Sequence, residues 1–186
     1  RADVLLTAAR RASSSAQHKA VAEAAAKVAD DLAAAEEYLV ARKLCETARA
    51  SARRARQYLL VKKLAALAER LGQQEKAARE YREALAVLEK QPGDPAANLA
   101  AGRYLCFERG DWVRGVPMLA LGSDADLKSV ATRDLKGAKS AEEQAALGDA
   151  WWALAEKKEG REKESVMLHA GSWYRQAEPG VSAGLA

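Results

Sequence analysis

Phenylalanine occurs once in these 186 residues, histidine, cysteine and methionine twice each, and proline four times. Each shortage excludes something. With so little phenylalanine and few β-branched aliphatics, the core cannot be a bulky sheet interior; the apolar half of the composition is largely alanine, which suits close-packed helices. No stretch approaches the roughly 18 to 20 unbroken apolar residues that a membrane-spanning helix needs, so no membrane insertion is expected. Cys45 and Cys106 lie far apart inside apolar helical patterns, which is neither a disulfide framework nor zinc spacing, and both read as small core residues. The chain opens on Arg1 with neither methionine nor an apolar leader, which reads as a piece of a longer protein whose address lies elsewhere.

The two histidines leave little material for acid–base catalysis. His18, in the polar stretch "SSSAQHK", reads as solvated, and His169, one residue before the small residue Ala170, reads as structural; neither has a nucleophile or a second metal ligand at a useful spacing. Gly102, Gly110 and Gly115 lack the spacing and the preceding strand of a phosphate-binding loop. "SDAD" at 123–126 has too few oxygen ligands for a hard-cation loop and reads as helix capping. An enzyme is not expected, and neither is a cofactor or a metal.

What is present is punctuation at intervals. Glycine and proline are both absent from Arg1 to Leu71; breaks then fall at Gly72, at "QPGDP" (91–95), at Gly110 and between Gly122 and Gly137. Asp94 before Pro95, Asp111 after Gly110, and Ser140 with Glu143 read as helix starts. Small, large and small residues recur at spacings of four and three: Ala41, Cys45, Ala48; Ala77, Tyr81, Ala84; Gly115, Leu119, Gly122; and Ala170, Tyr174, Ala177 followed by Pro179. This resembles the tetratricopeptide repeat, and Leu147, Gly148 and Trp151 resemble its first-helix signature. The expected fold is all-α, a tetratricopeptide-like α-solenoid of antiparallel helical hairpins forming a single domain over 1–186. Its repeats are expected at 15–54, 57–91, 95–122 and 140–179, with an irregular short-helix segment at 123–139. The period requires a turn near Arg53 to Gln57, yet "ARRARQY" contains nothing to force one, so a single long helix is the alternative there.

The stretches "NLAAGRYLCFERGDWVRGVPMLALGSDADLKSVATRDL" (98–135), "EEQAALGDAWWALAEKKEG" (142–160) and "AGSWYRQAEPGVSAGLA" (170–186) resemble segments of large multidomain proteins of planctomycete bacteria, and 15–97 resembles them more loosely. The resemblance implies a non-catalytic spacer or protein-interaction region within a larger protein, often an exported one, hence an extracytoplasmic site.

Two candidate surfaces follow. Register places Lys62, Arg70, Tyr104, Asp149 and Trp152 on the inner face of the solenoid, where a protein or peptide partner would sit, with Trp152 and Tyr104 as anchors and Lys62 and Arg70 as charge partners. Trp151 points about 100° away from Trp152 and, with Trp112 and Tyr174, reads as packing. Residues 1–90 carry 18 Lys and Arg against 12 Asp and Glu, whereas 91–186 carry 12 against 14. The basic excess centres on 42–63, where eight basic residues face Glu46 alone. On one helix Arg42, Arg49, Arg53, Arg56 and Lys63 would share a side, which gives the alternative function: binding of nucleic acid or another anionic polymer. A solvated face is the plainer reading of the same charges, since no aromatic residues interleave to stack on bases.

Overall fold

The computed structural model describes residues 1–184, with the side chains of 179–184 excepted. Pro179, read as closing the last repeat, and the 179–186 end of the third resembling stretch thus fall outside the described side chains. All regular structure among the described residues is helical: α1 (Ala2–Arg11), α2 (Ser15–Ala34), α3 (Tyr38–Arg54), α4 (Tyr58–Leu88), α5 (Pro95–Arg103), a π-helical turn (Tyr104–Glu108), α6 (Trp112–Leu121), α7 (Ala125–Lys136), α8 (Ala141–Glu156) and α9 (Gly160–Gly184). The chain divides into two compact units, 1–78 and 79–186, with the boundary inside α4.

In the first unit, Ser14 caps α2 in a reciprocal capping box with Gln17. One stripe of α2 (Ala22, Ala25, Ala29) and one of α3 (Ala41, Cys45, Ala48, Ala52) are fully buried, because alanine lets two helix backbones approach closely. α2 and α3 therefore pack as a helical pair, and the Ser15 hydroxyl donates to the Ala55 carbonyl, tying the start of α2 to the end of α3. A turn, and not one long helix, separates α3 from α4. Arg56 adopts the left-handed conformation (φ 55°), its N–H donating to Arg53 O while Gln57 N–H donates to Ala52 O. Glu36 (φ 62°) closes α2 with the same pair of bonds. Both turns lead into matching sequences, "AEEYLVARKL" and "ARQYLLVKKL", 20 residues apart.

Two expectations are corrected here. Gly72 does not break a hairpin over 57–91: α4 runs unbroken for 31 residues, since one interior glycine costs only about 1 kcal/mol and Leu64 and Leu71 anchor the helix by full burial. The segment 123–139 is not irregular either. It contains the 12-residue α7, capped by Asp124, whose Leu127, Val130 and Ala131 enter the core.

The second unit is organised by glycines that admit close contacts. A Cβ on Gly115 would fall 2.3 Å from Cys106 Sγ and 3.2 Å from Gly102 O, so α6 packs nearly backbone to backbone on α5 and the π turn. Gly148 in α8 likewise lies under the Tyr174 ring of α9, 2.7 Å from where a Cβ would stand. Asp94, Asp111 and the Ser140–Glu143 box cap α5, α6 and α8. The π turn loosens the carbonyls at its end, and α9 serves them: Ser165 Oγ donates to Cys106 O and Arg161 to Glu108 O, each at 2.9 Å.

Candidate functional site

The five cations expected on one side of a single helix are divided by the turn. Arg42, Arg49 and Arg53 belong to α3, Arg56 is the left-handed turn residue, and Lys63 belongs to α4. Arg42 is taken up by an ion pair to Glu75 at 2.8 Å, which also raises its already high pKa, and Arg49 is half-buried. The continuous anion-binding stripe therefore does not form.

Of the expected inner-face residues, Tyr104 is a correction. It is 4% exposed and stacks on Tyr81 with ring centroids 4.5 Å apart, so it belongs to the core of the second unit. Asp149 is exposed on α8 and accepts a 2.8 Å hydrogen bond from the Tyr174 hydroxyl. Burial first, and then that bond, push the Tyr174 phenol up to about 12. Trp151 is 0% exposed whereas Trp152 is 40% exposed, so the adjacent tryptophans divide between packing and surface. Lys62 is exposed on α4, beside Lys63.

Arg70 and Lys63 are brought together. In the first unit, a groove of about 440 Å³ is lined by Ala26 and Asp30 of α2 and by Leu60, Lys63, Leu64, Ala66, Leu67 and Arg70 of α4. Leu60, Lys63, Leu67 and Arg70 follow one another at spacings of three and four along a single ridge, so cations and leucines alternate down one wall. Opposite, Ala26 and Asp30 are one turn apart on α2, and Asp30 Oδ1 accepts from the Arg70 guanidinium at 2.5 Å. The result is an apolar floor with a cationic rim and one carboxylate. A larger cleft of about 690 Å³ borders α1 and α2, but its lining includes one acidic residue, Asp3, and one basic residue, Arg11, and carries no charge bias.

Sequence reasoning missed two residues. Asp30 is the first; the buried stripe Ala22, Ala25 and Ala29 would have oriented it, since it stands beside that stripe and four residues beyond Ala26. Asp134 is the second, and it organises the second unit. Its Oδ2 accepts from Trp151 Nε1 at 2.7 Å and Trp173 Nε1 at 3.0 Å, and lies 2.8 Å from His169 Nε2. Trp112 stacks on the His169 ring, 3.8 Å between centroids and 1° from parallel. A carboxylate in the last turn of α7, at the negative end of the helix dipole, was the available signal. His18, expected in solvent, is buried, and its Nδ1 makes no hydrogen bond among the described residues. Both cysteines are free and buried, and burial pushes both thiols up, away from the thiolate.

No protein-family model, curated protein or solved structure matches this chain.

Proposed function

We propose that the chain is a non-catalytic, tetratricopeptide-like helical module of a larger multidomain protein, of the kind its resemblance to planctomycete proteins implies, and that it holds a protein partner in the groove between α2 and α4. The observation that carries this reading is the open groove itself. The alanine faces of α2 and α3 are fully buried against one another, while Leu60, Ala66 and Leu67 line a recess with Lys63 and Arg70 at its rim. An apolar floor supplies binding energy, and rim charges supply register and partner choice. The Asp134–His169 pair supports a structural reading of the titratable groups, because the indole donors of Trp151 and Trp173 occupy the same carboxylate oxygen.

The test is site-specific photocrosslinking in cells that produce the protein. A benzoylphenylalanine at Ala66, which is exposed and lines the groove, should yield discrete protein adducts; the same group at Lys43, exposed on α3, should not. Equal labelling from both positions, or none from Ala66, would refute the reading.

A further inference from the structure

The groove constrains its occupant in two ways. Ala26, Leu60, Leu64, Ala66 and Leu67 offer no side-chain donor or acceptor, and the helices beneath them have no free backbone edge. An extended peptide laid there would bring unpaired N–H and C=O groups against an apolar lining, whereas a helix satisfies its own backbone and presents only side chains. The second constraint is charge. Lys63 and Arg70 stand seven residues apart on α4, hence about 10 Å apart along one side of the groove. Residues 1–78 carry 15 basic against 9 acidic residues, so the groove sits in a unit of net charge +6.

The geometry points to an acidic amphipathic helix as the occupant: apolar residues at positions i, i+3 or i+4, and i+7 fill the recess, and two carboxylates about seven residues apart meet Lys63 and Arg70. This rests on the groove being the partner site. Asp30 has a defined part in it. It holds the Arg70 guanidinium over the recess before any partner arrives, yet its carboxylate competes with the incoming one for the same donors.

The test is fluorescence anisotropy with labelled 18-residue peptides. The first has leucine at the three apolar positions and glutamate in the two flanking positions; the others replace both glutamates with glutamine, replace both with lysine, or add a central proline that breaks the helix. The glutamate peptide should bind at least tenfold more tightly than the glutamine and proline forms, the lysine peptide should not bind, and affinity should fall with salt. Lys63→Glu with Arg70→Glu should abolish binding while leaving the helical circular dichroism unchanged, since both residues are exposed. Asp30→Asn should tighten binding severalfold. Equal binding of the glutamate and glutamine peptides overturns the proposal, as does equal binding of the proline form, indifference to the Lys63/Arg70 exchange, or no tightening with Asp30→Asn. A single-stranded oligonucleotide that displaces the glutamate peptide at lower concentration would overturn it in favour of nucleic acid. If Ala66 crosslinks a partner but the glutamate peptide does not bind, the module function stands and the acidic-helix assignment falls; if neither occurs, both fall.

Discussion

Replacing Asp134 with alanine should destabilise the second unit by about 3–4 kcal/mol. The carboxylate accepts from Trp151 Nε1 and Trp173 Nε1 and meets His169 Nε2, all within 3.0 Å. A hydrogen bond to a charged group contributes about 1.5–3 kcal/mol, and a buried donor left unpaired costs about 1–3 kcal/mol. Trp151 is fully buried and the His169 side chain is only 11% exposed, so water replaces the acceptor poorly for those two donors; Trp173 is partly buried as well and recovers some loss through solvent. Two donors at roughly 1.5–2 kcal/mol each give the stated figure. Asp134→Asn retains one acceptor oxygen without the charge and should cost about 1–2 kcal/mol. The assay is urea unfolding followed by tryptophan fluorescence, which reports this unit selectively because Trp112, Trp151, Trp152 and Trp173 all lie beyond residue 78. An unfolding free energy within 1 kcal/mol of the wild type for the alanine variant, with the slope unchanged, would refute the assignment of Asp134 as the acceptor that holds α7, α8 and α9 together.

Three further outcomes are expected. Gly115→Ala, with its Cβ 2.3 Å from Cys106 Sγ, should lose about 1–3 kcal/mol in the same urea assay, whereas Gly72→Ala in the first unit, whose Cβ meets nothing within 4 Å, should raise stability by up to about 1 kcal/mol when urea unfolding is followed by helical circular dichroism; similar effects at both would contradict the packing described. Arg56→Gly relieves a left-handed side chain and should raise the thermal midpoint by an amount equivalent to about 1 kcal/mol, and a loss would mean that the turn is not held as described. Absorbance titration at the tyrosinate band should show one step near pH 12 that disappears in Tyr174→Phe. The raised phenol pKa means that its contribution to stability is complete below the ordinary tyrosine range and is lost as pH climbs from about 10 towards about 12; Asp149→Asn, which removes the acceptor and the charge that hold the phenol protonated, should be less stable near neutral pH but lose less stability over that alkaline window.

What the sequence shows of this fold is what acts locally. Asp94, Asp111, Asp124 and Ser140 cap helices because a short polar side chain and the next three amides decide the matter among themselves. The alanine stripes show helical packing for the same reason: their period is written in the chain. The turn at Arg56 is not legible in this way, since an arginine occupies the left-handed position where glycine would ordinarily stand. Gly72 misleads in the opposite sense, because a small local cost is outweighed by burial elsewhere along α4. Tyr104 is misplaced for a geometric reason. Repeat register assigns it to an inner face, but its ring stacks on Tyr81, a contact between separate helices that no local spacing encodes. Of the groove, Lys63 and Arg70 are legible as cations seven residues apart on one helix, but sequence register assigns them to different surfaces, because the turn at Arg56 that removes the basic stripe and the packing that sets Asp30 across from Arg70 are not encoded in local spacing.

The Asp134 contact also bears on how the molecule opens. An array of hairpins whose neighbours merely lean on one another can release its helices one at a time, each with its own protection against hydrogen exchange. Here a single carboxylate on α7 is shared by rings from α8 and α9. Releasing α7 leaves Trp151 Nε1 on α8 and His169 Nε2 on α9 without their acceptor, so opening α7 weakens both neighbours, and the amides of α7, α8 and α9 should exchange as one block and not as separable hairpins.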